Sequence, residues 1–424
     1  MRTTLRVIAL TSIIGAALVL PAGTALAEGI CVDGSFAGIP TDQLQAGYGA
    51  TCSADAGSTA AAVNYSTNPA SGAAAVATNN SSATAVNNSG GTDTVQATAI
   101  ANDHSTATAM SNVQGGNNTS GNTTAIADHG SSAVAASNVA GNGNSGSGDA
   151  TAIATNGSSA GAVTNVSGSA NTGSGDATAI ADNGSMAIAG ANVLGSENSE
   201  SGIGVAIATN GSWAGAATDV TGSANHGSGI ATAIADTGSL ASASAMLAGD
   251  GNDGSAWATA VAESGSMSLV LAQAVGDINR DSALSVGVAI LGSFSGAGAA
   301  VFGNGNIDTG IATAVSSDTG GQAIASASAT GNGNAGSAMA TAAQAGAGSY
   351  SNAQAQLTGD GNTTSANGTS VSTGLASSAD TYAGLTGTGN THSVNLVTVA
   401  SGGGVFATII DDVMSGATNV DNIP

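Results

Sequence analysis

An asparagine returns every 27 residues along most of this chain. Asn117, Asn144, Asn171, Asn198, Asn225, Asn252, Asn279 and Asn306 keep that interval, and Asn334, Asn362 and Asn390 continue it at steps of 28. Two further markers share the beat. One is the glycine series Gly130, Gly157, Gly184, Gly211, Gly238, Gly265 and Gly292; the other is the branched series Ile153, Ile180, Ile207, Ile234, Val261, Val288 and Val315. Three markers in phase over so many copies point to a recurring structural unit that stacks on its neighbours.

Each unit reads as two strands and two turns. Ala150-Thr151-Ala152-Ile153-Ala154 alternates with period 2, the mark of a strand with one buried face. Thr155-Asn156-Gly157-Ser158 follows as a turn, because Asn and Gly accept positive φ. Residues 160–166 form the second strand and residues 167–175 a wider Gly/Asn turn. Alanine alone favours helix, but glycines every few residues and β-branched alternation oppose it. Comparing copies separates inside from outside. Positions 152, 179, 206, 233 and 260 are all Ala, as are 160, 187, 214 and 241, while Val166, Val193, Val220 and Leu247 align. Uniform small columns suit a thin interior. The variable column Ser159, Met186, Trp213, Leu240, Met267 and Phe294 suits an outer face, and its large members form a candidate interaction stripe.

The expected fold is all-β, a parallel β-solenoid or β-roll of about eleven 27–28-residue coils with two strands each. At about 4.8 Å per coil this is a rod of about 50 Å. Residues 73–392 hold the repeats. Residues 28–72 read as an N-terminal cap and residues 393–424, more apolar, as a C-terminal cap, since an open ladder end invites polymerisation. The beat weakens near Asn279, where Asp277, Arg280 and Asp281 replace glycines.

Residues 1–27 read as a secretory signal: Arg2 and Arg6, an apolar run over 7–20, then Ala25-Leu26-Ala27. Export places Cys31 and Cys52, the two cysteines, in a setting where a disulfide closing a small loop is expected. No further apolar run of spanning length follows, so the expected location is secreted or surface-associated. Beyond residue 27 the chain keeps one cation, Arg280, against 26 acidic residues in the whole sequence. Nucleic-acid binding needs clustered Lys and Arg, and this composition excludes it.

Motifs that suggest chemistry dissolve into the repeat. Gly141 to Gly146, Gly249 to Gly254 and Gly331 to Gly336 spell G-x-G-x-x-G, but each is a wide turn with no helix after it, so no cofactor is expected. Gly157-Ser158-Ser159-Ala160-Gly161 spells G-x-S-x-G without the helix or partners a nucleophile needs. His104, His129, His226 and His392 share no column. No catalytic site and no enzyme activity are expected. Gly303 to Asp308 approximates a calcium-binding nonapeptide, leaving Asp250, Asp253 and Asp308 as candidate calcium ligands, although most copies carry Ser, Thr or Asn there. Stacked side-chain amides explain the turn asparagines better.

Two families resemble this pattern. Ala150 to Ala154 with Asn156-Gly157-Ser158 looks like the head repeats of trimeric autotransporter adhesins, and Gly333-Asn334 with Gln344, and Gly361-Asn362 with Gln354 and Gln356, is similar to curlin fibre subunits. In composition the chain also looks like exported actinobacterial proteins. These resemblances imply a β-roll at the cell surface that adheres or self-assembles. The Thr151, Thr178, Thr232, Thr259 and Thr313 column beside the Ile/Val column also resembles the flat arrays of ice-binding solenoids, broken here at Val205 and Val286. The expected function is that of a non-enzymatic structural or adhesive protein acting through its faces on itself or on surface or matrix material. Ice or calcium binding, or a curlin-like fibre, is the alternative.

Overall fold

The computed structural model describes strand backbone from Ile30 to Thr418 and side chains between Ala60 and Val399. The signal segment, the turn asparagines Asn117 to Asn390 and Asp308 lie outside the described residues, as do the side chains of Cys31 and Cys52. The chain winds as a two-sheet parallel solenoid. Alternate strands feed a sixteen-stranded sheet, here sheet 1, and a fifteen-stranded sheet, sheet 2. One typical coil is Gly148–Ala154 in sheet 2 followed by Ser159–Ser167 in sheet 1. Every described pairing is parallel except the first, where Ile30–Phe36 meets Ile39–Ala46 as a hairpin. No helix among the described residues is long and apolar enough to cross a membrane.

The register shows how the beat arises. Ser132 pairs with Ser159, and Gly148 with Gly175, a step of 27 in both sheets. Coils are shorter at the start: Ala60 pairs with Ala83, Ser82 with Thr106 and Thr106 with Ser132, steps of 23, 24 and 26. From Phe294 paired with Gln322 the step is 28. The ladders pass residue 72 through the pairing of Ser71–Thr78 with Thr94–Asn102, and Ser393–Ser401 and Phe406–Val413 extend them at the other end. Near Asn279 the sequence suggests degenerate coils, yet Ser255–Glu263 and Ser282–Ile290 stay paired along their whole length. Asp277 and Arg280 fall in the turn, and Asp277 Oδ1 accepts the Asn304 amide at 2.6 Å, as Asp250 and Asn304 accept the next coil's amide elsewhere.

Alternation decides the interior. Gly148–Ala154 buries every second residue, and Ser159–Ser167 buries Ala160, Ala162, Thr164 and Val166. Alanine columns from the two sheets face each other, so each methyl contributes little, roughly 0.8 kcal/mol at most, and the stack rests on many repeats of a small term. Larger side chains sit opposite glycine. A Cβ on Gly148 would stand 3.3 Å from Val139 Cγ2, which is why the Val column and the Gly column face each other. Serine and threonine hydroxyls brace the sheets: Ser268 Oγ donates to the Ala260 carbonyl at 2.8 Å, and Ser351 Oγ meets Ser370 Oγ at 2.7 Å.

The wide turn is held by backbone and by side chains. At Gly359, φ is +133°, and a Cβ there would sit 1.9 Å from the Gly331 carbonyl oxygen, so successive turns stack with no room for a side chain. Beside this glycine, one acceptor per coil takes the next coil's amide. Asp277 N–H donates to Asp250 Oδ1 at 2.8 Å, Asn332 N–H to Asn304 Oδ1 at 2.8 Å, and Asp360 N–H to Asn332 Oδ1 at 2.7 Å.

Candidate interaction faces

Sheet 2 turns several straight columns outward; three adjoin one another, and a further one at the strand ends carries the exposed Glu263 beside Ile290 and Ser317. Thr98, Thr124, Thr151 and Thr178 stack in register, continued by Val205, Thr232, Thr259, Val286 and Thr313. Two residues on, Ile100 to Val315 form a parallel branched column. The third column begins polar, with Asp149 beside Asp176, and becomes apolar at Ile203, Ile230, Trp257, Leu284, Ile311 and Met339. From the Ile203 coil to the Met339 coil these three columns carry no charged side chain. Trp257 is 45% exposed and lies along the sheet, its Nε1 donating to Thr259 Oγ1 at 3.1 Å.

Sheet 1 brings the sequence stripe into one column. Met186 pairs with Trp213, Trp213 with Leu240, Leu240 with Met267 and Met267 with Phe294. All five side chains are half-buried or exposed. The aromatic rings fold onto glycines two residues on: a Cβ at Gly215 would meet Trp213 Cζ2 at 3.2 Å, and one at Gly296 would meet Phe294 Cε1 at 3.1 Å. Leu269 and Leu271, 39% and 42% exposed, rise between the low rows Ser242/Ser244 and Gly296/Gly298. A shallow cavity of about 440 Å³ borders this ridge.

Toward the N-terminal end the same face carries an amide ladder. Asn112 Nδ2 donates to Asn88 Oδ1 at 2.7 Å, Asn138 to Asn112 at 2.8 Å, Asn165 to Asn138 at 2.8 Å, and Asn192 to Asn165 at 2.9 Å. Side-chain amides therefore do stack. The wide-turn asparagines for which the sequence suggests a ladder lie outside the described residues; the signal for the sheet 1 ladder is the recurring Asn138-Val139, Asn165-Val166 and Asn192-Val193 pairs.

Charge is gathered mainly in the turns. In the narrow turn, Thr155 Oγ1 donates to Asp128 Oδ1 and Thr209 Oγ1 to Asp182 Oδ1, with Asn156 and Asn210 adding longer bonds at 3.1 and 3.3 Å. The threonine hydroxyl in each case holds the carboxyl below the usual aspartate range. His129 lies 2.9 Å from Asp128. Asp250 and Asp253, the calcium candidates within the described residues, are exposed, and one Asp250 oxygen accepts the Asp277 amide. Among the described residues no three His, Cys, Asp or Glu side chains gather where a metal could be held. The sequence suggests that the histidines share no column, yet His104 and His129 stack in adjacent narrow turns, the His104 backbone N–H donating to the His129 carbonyl at 2.6 Å, while His226 lies in a wide turn. Cys31 falls in the hairpin strand of sheet 1 and Cys52 in Ala50–Ala54 of sheet 2, and their side chains lie outside the described residues.

No family description, curated protein or solved structure matches this chain.

Proposed function

We propose that the chain is a non-enzymatic structural or adhesive protein of the cell exterior that works through the broad faces of its solenoid. One observation carries the reading: three adjoining outer columns of sheet 2 from Ile203 to Met339 are in register, apolar or hydroxylated, and free of charge, while most carboxylates lie in the turns and Glu263 sits at a strand end beside these columns. A ladder-bonded sheet offers such columns at a fixed spacing of about 4.8 Å, which suits contact with an extended surface better than capture of a small molecule. The signal-like residues 1–27, the cysteine pair Cys31 and Cys52, and the likeness to adhesin head repeats support the exported setting. Adsorption of the purified chain to immobilised cell-wall and matrix material tests it. Ile230→Glu with Ile234→Glu should weaken adsorption at least tenfold while circular dichroism stays β; equal adsorption by both proteins defeats the reading.

The threonine column favours a second reading, recognition of ice. Its regular methyls and hydroxyls run beside a branched column over four unbroken coils from Thr98 to Thr178. A thermal hysteresis measurement decides this alternative, and freezing indistinguishable from a bovine albumin control removes it.

A further inference from the structure

The geometry points to a two-fold dimer of this chain, formed face to face by sheet 1 and centred between the coil of Leu240 and the coil of Met267. The relief of that face is the reason. Leu269 and Leu271 form a ridge, and one coil toward the N-terminus the row Ser242/Ser244 has nothing taller than a hydroxymethyl group. Both leucines lean away from that row: Leu269 Cδ2 and Leu271 Cδ1 each come within 3.4 Å of where a Cβ on Gly296 or Gly298 would be. The trough over Ser242 and Ser244 is thereby left open.

A ridge adjoining a trough of equal width is self-complementary. A two-fold axis along the strand direction, lying between the two rows, reverses the order of coils and keeps each column over itself. The ridge of one copy then enters the trough of the other, and the reverse contact forms at the same time, as an isologous interface requires. The same operation sets Leu240 against Met267 and Trp213 against Phe294, so the whole apolar stripe is used. Strands of the two copies run nearly aligned, the ordinary geometry of sheet-on-sheet packing.

Charge and area select a second copy over other partners. Over the six coils from Met186 to Thr330 the outer face of sheet 1 carries one carboxylate, Asp219. The symmetry places it opposite Ala300 and not against its own image, so a chain with formal charge −23 can pair here with its acids at the rims. A basic partner would find almost nothing to bind. Six coils at about 4.8 Å and strands of nine residues at about 3.3 Å give a face of roughly 850 Å², close to the ~800 Å² per partner of a stable interface.

Sedimentation velocity of the full purified chain over a concentration series is the test. The expected result is a monomer–dimer equilibrium. Leu269→Glu with Leu271→Glu should raise the dissociation constant at least tenfold, and Ile234→Glu, on sheet 2, should leave it unchanged. The deciding variant is Ser242→Leu with Ser244→Leu. It adds apolar surface but fills the trough, so it should dissociate the dimer, whereas a merely sticky patch would associate more strongly. All substituted positions face outward, and an unchanged β spectrum confirms folding. A wild-type monomer at the highest soluble concentration, open-ended polymers, tighter association of the filled-trough variant, or dissociation by Ile234→Glu overturns the pairing. Adsorption is measured separately, so a monomer that adheres rejects the dimer alone, and a dimer that does not adhere rejects the adhesive function alone.

Discussion

Asn165 donates its side-chain amide to Asn138 Oδ1, 27 residues earlier in sequence and one coil away, at 2.8 Å. It also accepts from Asn192 at 2.9 Å. An interior rung thus makes two side-chain bonds, each worth about 0.5–1.5 kcal/mol net. Asn165→Ala should therefore lower stability by about 1–2 kcal/mol in urea unfolding, since water at this half-exposed site replaces part of what is lost. An unchanged midpoint would show that the ladder follows from the stacking without adding to it.

The ladder ends at Asp219. It pairs with Asn192 in register, but its carboxylate has no N–H to offer the Asn192 oxygen, and it accepts from Thr221 Oγ1 at 2.7 Å instead. Residues 154–180 and 208–234 are close copies in which Asn165 corresponds to Asp219. Asp219→Asn restores the donor and should stabilise the protein by roughly 0.5–1.5 kcal/mol, read as a raised unfolding midpoint. A lowered midpoint would mean the carboxylate is required where it stands.

The narrow turn makes stability depend on pH in a defined direction. Asp128 and Asp182 are held below the usual carboxylate range chiefly by hydroxyl bonds from Thr155 and Thr209. A lowered folded-state pKa contributes stability that is present above the unfolded carboxylate value and lost as pH falls through the folded one. Thr155→Val with Thr209→Val should therefore melt at a lower temperature than the wild type at neutral pH, and the gap should narrow as pH drops through and below the carboxylate range. Both carboxyls are exposed, so screening keeps the gap small. Comparing the two proteins at each pH cancels the general relief of negative charge on acidification. A gap that widens in acid contradicts the assignment.

The parts of this fold that are legible in sequence are those that repeat in phase. Ala152, Ala179 and Ala206 share a column in the sequence and are all buried in the structure, because alternation and a fixed interval jointly specify face and register. The early coils are harder to see. Ala60 and Ala83 occupy one column, but a step of 23 breaks the 27-residue phase that makes the later columns visible. Surface relief is hidden for another reason. Whether Leu269 forms a ridge depends on Gly296 in the next coil, a neighbour 27 positions away whose own space is taken by the Phe294 ring. The stripe from Met186 to Phe294 can be listed from sequence, but the trough beside it follows only from heights across adjacent coils.

The alanine interior sets a limit that can be tested at Ala152. Its side chain is fully buried, in register with Ala125 and Ala179 on either side. The two inner faces meet across methyl groups, so a leucine here has no void to enter and must push the sheets apart. Overpacking of this kind costs about 1–3 kcal/mol where a core can adjust, and a ladder spanning the whole molecule adjusts poorly. In a stack where each coil contacts only its neighbours, the damage stays local. Ala152→Leu should therefore speed amide exchange in the coils around residues 125–179 while those near residues 323–357 keep wild-type protection. Uniform loss of protection along the rod would mean the solenoid melts as a single cooperative unit, and the nearest-neighbour description would have to be abandoned.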